Sequence, residues 1–234
     1  RADGEILLGG SGFGLRIDRT LPHVMGFDHK RKVVIINPEK IERKKIQPNE
    51  KRYLFGHEIA HFVQLARNPE AYIRSFTLAD EKPKRAPSDH DQVKSLWHRF
   101  YNVFLDISAN ATVDRRSLWT QKMKSEEHPC TTLYERFAPQ DLSEGPKTEQ
   151  FLFSILRRAM LGDEVPLKID DDVRNVLEQS YTYLGKKYRN FFEFARLKFF
   201  DADLPIDILL SSLERSAAPL FERFLQADIA SGRI

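Results

Sequence analysis

The fold of this chain is decided by Tyr53–Ala66, which reads YLFGHEIAHFVQLA. The stretch contains the pattern His-Glu-x-x-His at His57, Glu58 and His61. On a helix, residues four positions apart lie one above the other, so both imidazoles project from one face and can bind a single ion. Glu58 is turned by about 100° from His57 and can reach a water beside that ion without becoming a ligand. We therefore predict a metal-binding helix with two histidine ligands and Glu58 as general base.

The alternative is an ordinary buried helix whose histidines are satisfied by hydrogen bonds. In that case two histidines and a glutamate would each need a partner within an otherwise apolar segment, because burying unpaired polar groups is unfavourable. The flanking residues suit a helix that begins here, with Pro48 at the boundary and Asn49 as the predicted N-cap. The sequence favours the metal site.

A second informative stretch is Val93–Trp119, which has the pattern of one long helix. Polar residues recur in it every four positions: His98, Asn102, Asp106, Asn110 and Asp114. Each step of four drifts by about 40° around the helix axis, so only the middle three can face one point. We predict Asp106 as the third metal ligand, with Asn110 and Asn102 orienting the ligands by hydrogen bonds. Asp114 and His98 are the alternative ligands, and a solvent-facing polar edge is the competing interpretation of the whole stripe.

Composition narrows the classes of protein that the chain can belong to. The 37 basic and 34 acidic residues leave a net charge of +3, which is small for a protein dedicated to nucleic acid. The single cysteine, Cys130, excludes an internal disulfide framework and favours a reducing compartment. No apolar run is long enough to span a bilayer, and the start of the chain has no signal-peptide pattern. We expect a cytoplasmic protein without a membrane partner, although a start other than methionine leaves a lost leader open.

The motifs resemble a known class of enzymes. His57-Glu58-x-x-His61, followed on a later helix by an acid and a polar residue one turn on, resembles the gluzincin branch of the zincin metallopeptidases. There the third ligand is the glutamate of Glu-x-x-x-Asp, and Asp106-Ile-Ser-Ala-Asn110 departs from that pattern at both positions. Tyr101–Asn110 is nearer to the Trp-Asn-x-x-x-Asp-x-x-x-Asn pattern of bacterial metallopeptidase-domain proteins often found with von Willebrand A-like partners.

Part of the predicted fold also carries this resemblance. A β-hairpin that leads into the metal-binding helix, Val24–Leu65, is similar to the ImmA/IrrE-like peptidases. The resemblance covers about Val24–Trp119 and implies a zincin fold with one Zn²⁺ per chain. The departures from the gluzincin pattern concern which residue completes the metal site.

The remaining patterns predict an α+β fold. A small antiparallel or mixed sheet at the N-terminus, including a hairpin of Val24–Phe27 and Val33–Ile36, packs on the two predicted site helices. A mainly helical part follows, with patterns at Thr148–Leu161, Asp170–Leu184, Lys186–Phe200 and Pro205–Ile229. We divide the chain into a zincin-like metallopeptidase domain (1–137), a linker rich in proline, glycine and acids (138–147) and a helical C-terminal subdomain (148–234).

The predicted function is hydrolysis of peptide bonds in a peptide or protein substrate by a zinc-activated water. A donor to the developing oxyanion is expected, and the candidates are Tyr101, Tyr134, His98 and His128. The substrate backbone is expected to add to an edge strand of the sheet, with Val33–Ile36 as the candidate.

The competing hypothesis is a non-catalytic regulatory or interaction module. Its metal site would be structural and closed by a fourth ligand, for which the candidates are His90, His128 and Cys130. A partner protein would then bind through the C-terminal helices. Nucleic-acid binding has only a few basic runs in its favour and is not expected.

Overall fold

The computed structural model describes residues 5–8, 12–82, 90–118, 120–122, 127–137, 140–162 and 166–234. Trp119 and the side chain of His90 lie outside this part of the chain. The strands are β1 (Glu5–Leu8), β2 (Phe13–Ile17), β3 (Met25–Asp28), β4 (Val33–Ile36), β5 (Tyr181–Tyr183) and β6 (Lys186–Tyr188). The helices are α1 (Pro38–Arg43), α2 (Pro48–Arg67), α3 (Pro69–Glu81), α4 (His90–Arg116), α5 (Pro129–Phe137), α6 (Lys147–Leu161), α7 (Asp171–Glu178), α8 (Phe191–Phe199), α9 (Ile206–Arg215) and α10 (Ala217–Ala230). The α+β class is as predicted. No helix in the described ranges combines the length and apolar character needed to cross a lipid bilayer.

The N-terminal sheet is mixed, with the strand order β1-β2-β4-β3. The predicted hairpin is confirmed, because β3 pairs antiparallel with β4. The prediction that Val33–Ile36 is an edge strand is wrong: β4 lies between β3 and β2, with which it pairs in parallel. Val33 and Val34 are fully buried, which suits an interior strand with an unbroken apolar sequence. The strand at the end of the sheet beside α2 is β3.

Phe62 of α2 packs against two strands of the sheet. The ring of Phe62 lies 5.0 Å from that of Phe13 in β2 and 6.2 Å from that of Phe27 in β3. The helix begins two residues before the predicted position, with Gln47 as N-cap and Glu50 completing a capping box. The contacts with the sheet hold the outer face of α2 in place, so that its histidine face is turned towards α4.

The ligand helix α4 runs through the centre of the molecule. Trp97 and Phe100 contact Phe221 of α10, with ring centroids 4.8 and 4.9 Å apart. Phe104 contacts Phe199 of α8 at 5.1 Å. One hydrophobic core thus includes side chains from both predicted parts of the chain. The division into domain, linker and subdomain stays a prediction.

Three of the four helical predictions for the C-terminal part are partly wrong. Residues 181–188 form the hairpin β5–β6, which interrupts the helices predicted for Asp170–Leu184 and Lys186–Phe200. Leu184 and Gly185 both have positive φ angles, 48° and 78°, and make its turn. The single helix predicted for Pro205–Ile229 is two helices that meet at Ser216. Pro219 explains this break, since proline lacks an N–H and is tolerated only in the first turn of a helix.

Asp228 is a buried carboxylate that fastens α10 to the first turn of α6. It accepts hydrogen bonds from the backbone nitrogens of Lys147 and Thr148 at 2.8 and 2.9 Å, and from the Thr148 hydroxyl at 2.9 Å. We predict that Asp228→Ala lowers the free energy of unfolding by about 3 kcal/mol, because it removes charge-assisted bonds to a helix N-terminus. Urea titration measures the change.

The matched control is Glu222→Ala, at an exposed position of the same helix. It should change the free energy of unfolding by less than about 0.5 kcal/mol. Similar losses in both variants would show that Asp228 does not hold the start of α6.

Candidate metal centre

Two histidines of α2 and one aspartate of α4 direct their ligand atoms at one another. The Nε2 atoms of His57 and His61 are 3.1 Å apart. Asp106 Oδ1 lies 3.1 Å from Nε2 of His61 and 3.5 Å from Nε2 of His57. Within the described ranges, these three side chains form the one group of histidine, cysteine and acidic residues close enough to hold a metal ion.

The spacing of these atoms can be compared with the geometry of zinc. A tetrahedral zinc ion with nitrogen and oxygen ligands at about 2.0–2.1 Å has ligand atoms about 3.3–3.4 Å apart. The three measured separations, from 3.1 to 3.5 Å, bracket that value. The residues present therefore fit three corners of a zinc coordination shell and leave the fourth corner for a non-protein ligand.

The hydrogen bonds of the two imidazoles assign their tautomers. His57 Nδ1 lies 2.8 Å from Asn110 Oδ1, and His61 Nδ1 lies 3.0 Å from Gln64 Oε1. An amide oxygen can only accept, so each Nδ1 carries the hydrogen and donates it. When such an imidazole is neutral, its Nε2 has a lone pair directed at the centre of the group, which is the state of a histidine that binds a metal.

Both amide oxygens are held in these positions by further contacts. The Gln64 amide nitrogen donates to the carbonyl oxygen of Leu105 at 3.3 Å, so a flipped amide would place oxygen against oxygen. Asn110 Oδ1 also accepts from the Tyr53 hydroxyl at 3.2 Å. The orientation of each imidazole is thus determined by a second layer of polar groups.

The remaining oxygen of the aspartate is also engaged. Asn102, one turn earlier on α4, donates from Nδ2 to Asp106 Oδ2 at 3.1 Å. This bond leaves Asp106 Oδ1 to face the two imidazoles. Asn102 and Asn110 therefore contact one candidate ligand each, from opposite sides of Asp106 on the same helix face.

The protonation behaviour of the group shows how strongly it attracts positive charge. Burial alone disfavours the charged form of His57, but the hydrogen bond and negative charge of Asp106 outweigh it and raise the pKa of His57 to about 9. Burial works to raise the pKa of Asp106, but its hydrogen bonds to both histidines lower that pKa to about 2. The carboxylate therefore stays ionised and stabilises a cation beside it.

Glu58 is buried next to the group and is not part of it. Burial raises the pKa of its carboxyl, against the opposing effect of the two neighbouring histidines. It lines a cleft of about 900 Å³ together with His57, His61 and Asp106. The glutamate thus faces the space from which a substrate would approach the candidate metal.

Two further residues of this cleft were missed by sequence reasoning. Tyr72 of α3 is buried, and burial together with the charges of Asp106 and Glu58 raises the pKa of its phenol. His23, in the loop before β3, is exposed, lines the cleft and is close enough to Glu58 to lower its pKa. His23 belongs to no periodic pattern, and the only signal for Tyr72 is its place on the buried face of an amphipathic helix.

Most of the other predicted site residues lie elsewhere. The Tyr101 hydroxyl donates to Glu214, which excludes Tyr101 as an oxyanion donor in this arrangement. His98 Nε2 lies 2.7 Å from an oxygen of Asp80, and His98 joins only the rim of the cleft. His98 is therefore not a ligand here.

Asp114 and His128 pair with each other. His128 Nε2 is 3.3 Å from Asp114 Oδ1, and neither residue lines the wide cleft at the candidate ligands. Neither His128 nor Cys130 joins the group as a fourth ligand, although both belong to the described chain. Tyr134 remains near the site, since its hydroxyl accepts from Asn110 Nδ2 at 3.5 Å.

A second cavity also adjoins the candidate ligands. It has a volume of about 340 Å³ and reaches His57, Asp106 and Asn110. Apolar side chains make up most of its wall: Val24, Met25, Ile46, Leu54, Leu133, Phe137, Phe153 and Leu156. The candidate metal position is thus flanked by a wide cleft with several histidines and by a smaller apolar cavity.

Comparison of the chain with family models, with curated proteins and with solved structures gives no match. The resemblance to zincin peptidases therefore rests on the sequence motifs.

We predict that Asp106→Ala weakens zinc binding by more than about 100-fold. Losing a residue that only hydrogen-bonds to a ligand costs up to about 100-fold, and losing a ligand itself should cost more. Metal analysis after dialysis against a weak chelator measures the bound zinc. Asp114→Ala, two turns further on the same helix, is the matched control and should keep its zinc. Loss of zinc from the Asp114 variant alone would move the ligand role to Asp114.

Proposed function

We propose that this protein is a zinc-dependent peptidase. The observation that carries the proposal is the mutual spacing of 3.1–3.5 Å among the ligand atoms of His57, His61 and Asp106. Three protein ligands with an open fourth position are typical of catalytic zinc sites, whereas structural sites have four. The adjoining cleft and the buried glutamate beside the ligands also support hydrolysis rather than a structural role.

The chain's own groups have distinct parts in the proposed reaction. When bound, zinc would supply a Lewis acid that activates a water and polarises the substrate carbonyl. Glu58 takes a proton from the attacking water and gives it to the amine nitrogen as the C–N bond breaks. Its raised pKa helps, because a more basic carboxylate accepts that proton more readily.

Charge that develops on the carbonyl oxygen needs a hydrogen-bond donor. Tyr134 contacts Asn110, and His23 lines both cavities. Tyr72 is close enough to Asp106 and Glu58 for their charges to raise the pKa of its phenol. These three side chains replace the wider set predicted from the sequence. Each lies beside the ligands, and each has an N–H or O–H to donate.

The substrate backbone is proposed to add to β3. This strand is at the end of the sheet next to α2, and residues of it line both cavities. Both cavities contact His23 and Met25 at the start of β3; the apolar cavity also contacts Pro22 and Val24, whereas the wide cleft extends along Gly26, Phe27 and His29 to the end of the strand. A substrate strand antiparallel to β3, the more stable pairing, therefore has its C-terminal portion at the apolar cavity.

We predict that Glu58→Gln keeps stoichiometric zinc and lowers the rate of peptide hydrolysis by about 10²–10⁴-fold, because only the proton acceptor is lost. Metal analysis and cleavage of an unstructured protein such as casein measure the two properties. The control is Glu222→Ala, which should leave both unchanged. Undiminished hydrolysis by the Glu58 variant would exclude Glu58 as the general base.

We also predict that cleavage occurs before a large apolar residue, which enters the apolar cavity. Mass spectrometry of the products from a peptide mixture identifies the cleaved bonds. Leu54→Phe narrows the cavity and should reduce kcat/KM for these peptides by about tenfold or more, relative to peptides with alanine in that position. Leu197→Phe, at an exposed site on α8, is the control. A preference on the other side of the cleaved bond would mean that the substrate runs parallel to β3.

A further inference from the structure

The hairpin β5–β6 is attached to the body of the protein by one face only. The rings of Tyr181, Tyr183 and Tyr188 lie 4.9, 5.0 and 5.2 Å from the ring of Phe194 in α8. These contacts leave the three tyrosines half-buried and attach the hairpin to α8. The opposite face carries the cross-strand pair of Thr182 and Lys187, and both residues are exposed.

The tip of the hairpin carries a leucine that the fold does not require. Leu184 is 77% exposed, more than any other large apolar side chain in the described ranges. Its φ angle of 48° is in the left-handed region, where asparagine or glycine is favoured at this position of a two-residue turn. A leucine here is thus unfavourable both for the turn and for the solvation of its side chain.

Basic residues surround this leucine. Lys186, Lys187 and Arg189 lie in the hairpin or directly after it, and the sequence from Gln179 to Phe192 contains no acid. The side chains of Lys186 and Lys187 are exposed beside the tip. The hairpin therefore presents one apolar side chain at its extremity with positive charge behind it.

We propose that this tip binds an anionic phospholipid surface. Leu184 would enter the boundary between headgroups and acyl chains, while Lys186 and Lys187 contact the headgroup phosphates. This inference is independent of the proposed peptidase activity, since no hairpin residue lines either cavity at the metal centre. It replaces the expectation, drawn from the sequence, that a membrane plays no part.

The shape of the hairpin favours lipid over the other anionic partners. A specific protein interface usually needs about 800 Å² from each partner, which a turn and two strands of three residues do not supply. Single-stranded nucleic acid is bound by aromatic rings that stack on bases, but the three tyrosines here face Phe194. A lipid surface requires neither a large matched area nor an exposed ring.

The test is co-sedimentation of the full chain with vesicles of phosphatidylcholine containing 40% phosphatidylserine, at about 1 mM lipid. We expect an association constant on the order of 10³–10⁴ M⁻¹, at or below that of a single myristoyl chain. Leu184→Asn should lower it by about tenfold or more, as expected from the loss of one inserted leucine. Each of Lys186→Gln and Lys187→Gln should lower it by about fivefold, and added salt should act in the same direction.

Leu184→Asn distinguishes a loss of lipid binding from a loss of folding. Asparagine before Gly185 suits the turn, so the melting temperature should stay unchanged or rise. Ile73→Asn is the matched control, since Ile73 is 50% exposed on α3, and it should bind vesicles as the unchanged protein does. Three results would each overturn the proposal. They are no sedimentation with these vesicles, equal loss in the Leu184 and Ile73 variants, and tighter binding to a 20-nucleotide DNA strand than to the vesicles.

Discussion

The structure depends on the meeting of three electron-rich atoms between α2 and α4. Two imidazole nitrogens and one carboxylate oxygen lie 3.1–3.5 Å apart, and when both imidazoles are neutral each atom has a lone pair directed at the others. Such an arrangement is unfavourable unless a proton or a metal cation lies among the atoms, because their partial charges repel. The surrounding residues hold the three atoms in this arrangement but do not remove the repulsion between them.

That support comes from all parts of the chain. Tyr53 and Asn110 hold the orientation of His57, and Asn110 in turn contacts Met160 of α6 at 3.1 Å. Behind α4, phenylalanines of α8 and α10 fill the core and determine where that helix lies. The C-terminal helices therefore help to position the residues of the candidate site, and side chains of α6 also line both cavities.

The two cavities beside the candidate metal position differ in polarity. The wide cleft contains further histidines, the buried glutamate and polar side chains, whereas the smaller cavity is mostly apolar. A reaction that moves protons on one side and must discriminate between side chains on the other could use both environments. The basic hairpin lines neither cavity, so the proposed lipid binding and the proposed hydrolysis use separate parts of the molecule.

The sequence by itself determined which residues share a helix face. Helical periodicity is local, so the spacing of four that joins His57 to His61, and Asp106 to Asn110, could be read without coordinates. The α+β class and the hairpin of β3 and β4 followed from similarly local patterns. Gln64, three residues after His61, carried a local signal too, but nothing in the sequence indicated that its amide would be held by Leu105.

Only the tertiary structure decided which distant elements meet. The parallel pairing of β2 with β4 puts β4 inside the sheet and leaves β3 at one edge, and strands far apart in sequence carry no periodic sign of their order. Tyr72 and His23 reach the cleft for the same reason, since α3 and the loop before β3 are positioned by packing. At the tip of β5–β6, Gly185 suits its positive φ angle and Leu184 does not, so the tyrosine contacts with Phe194 support a turn that the leucine disfavours.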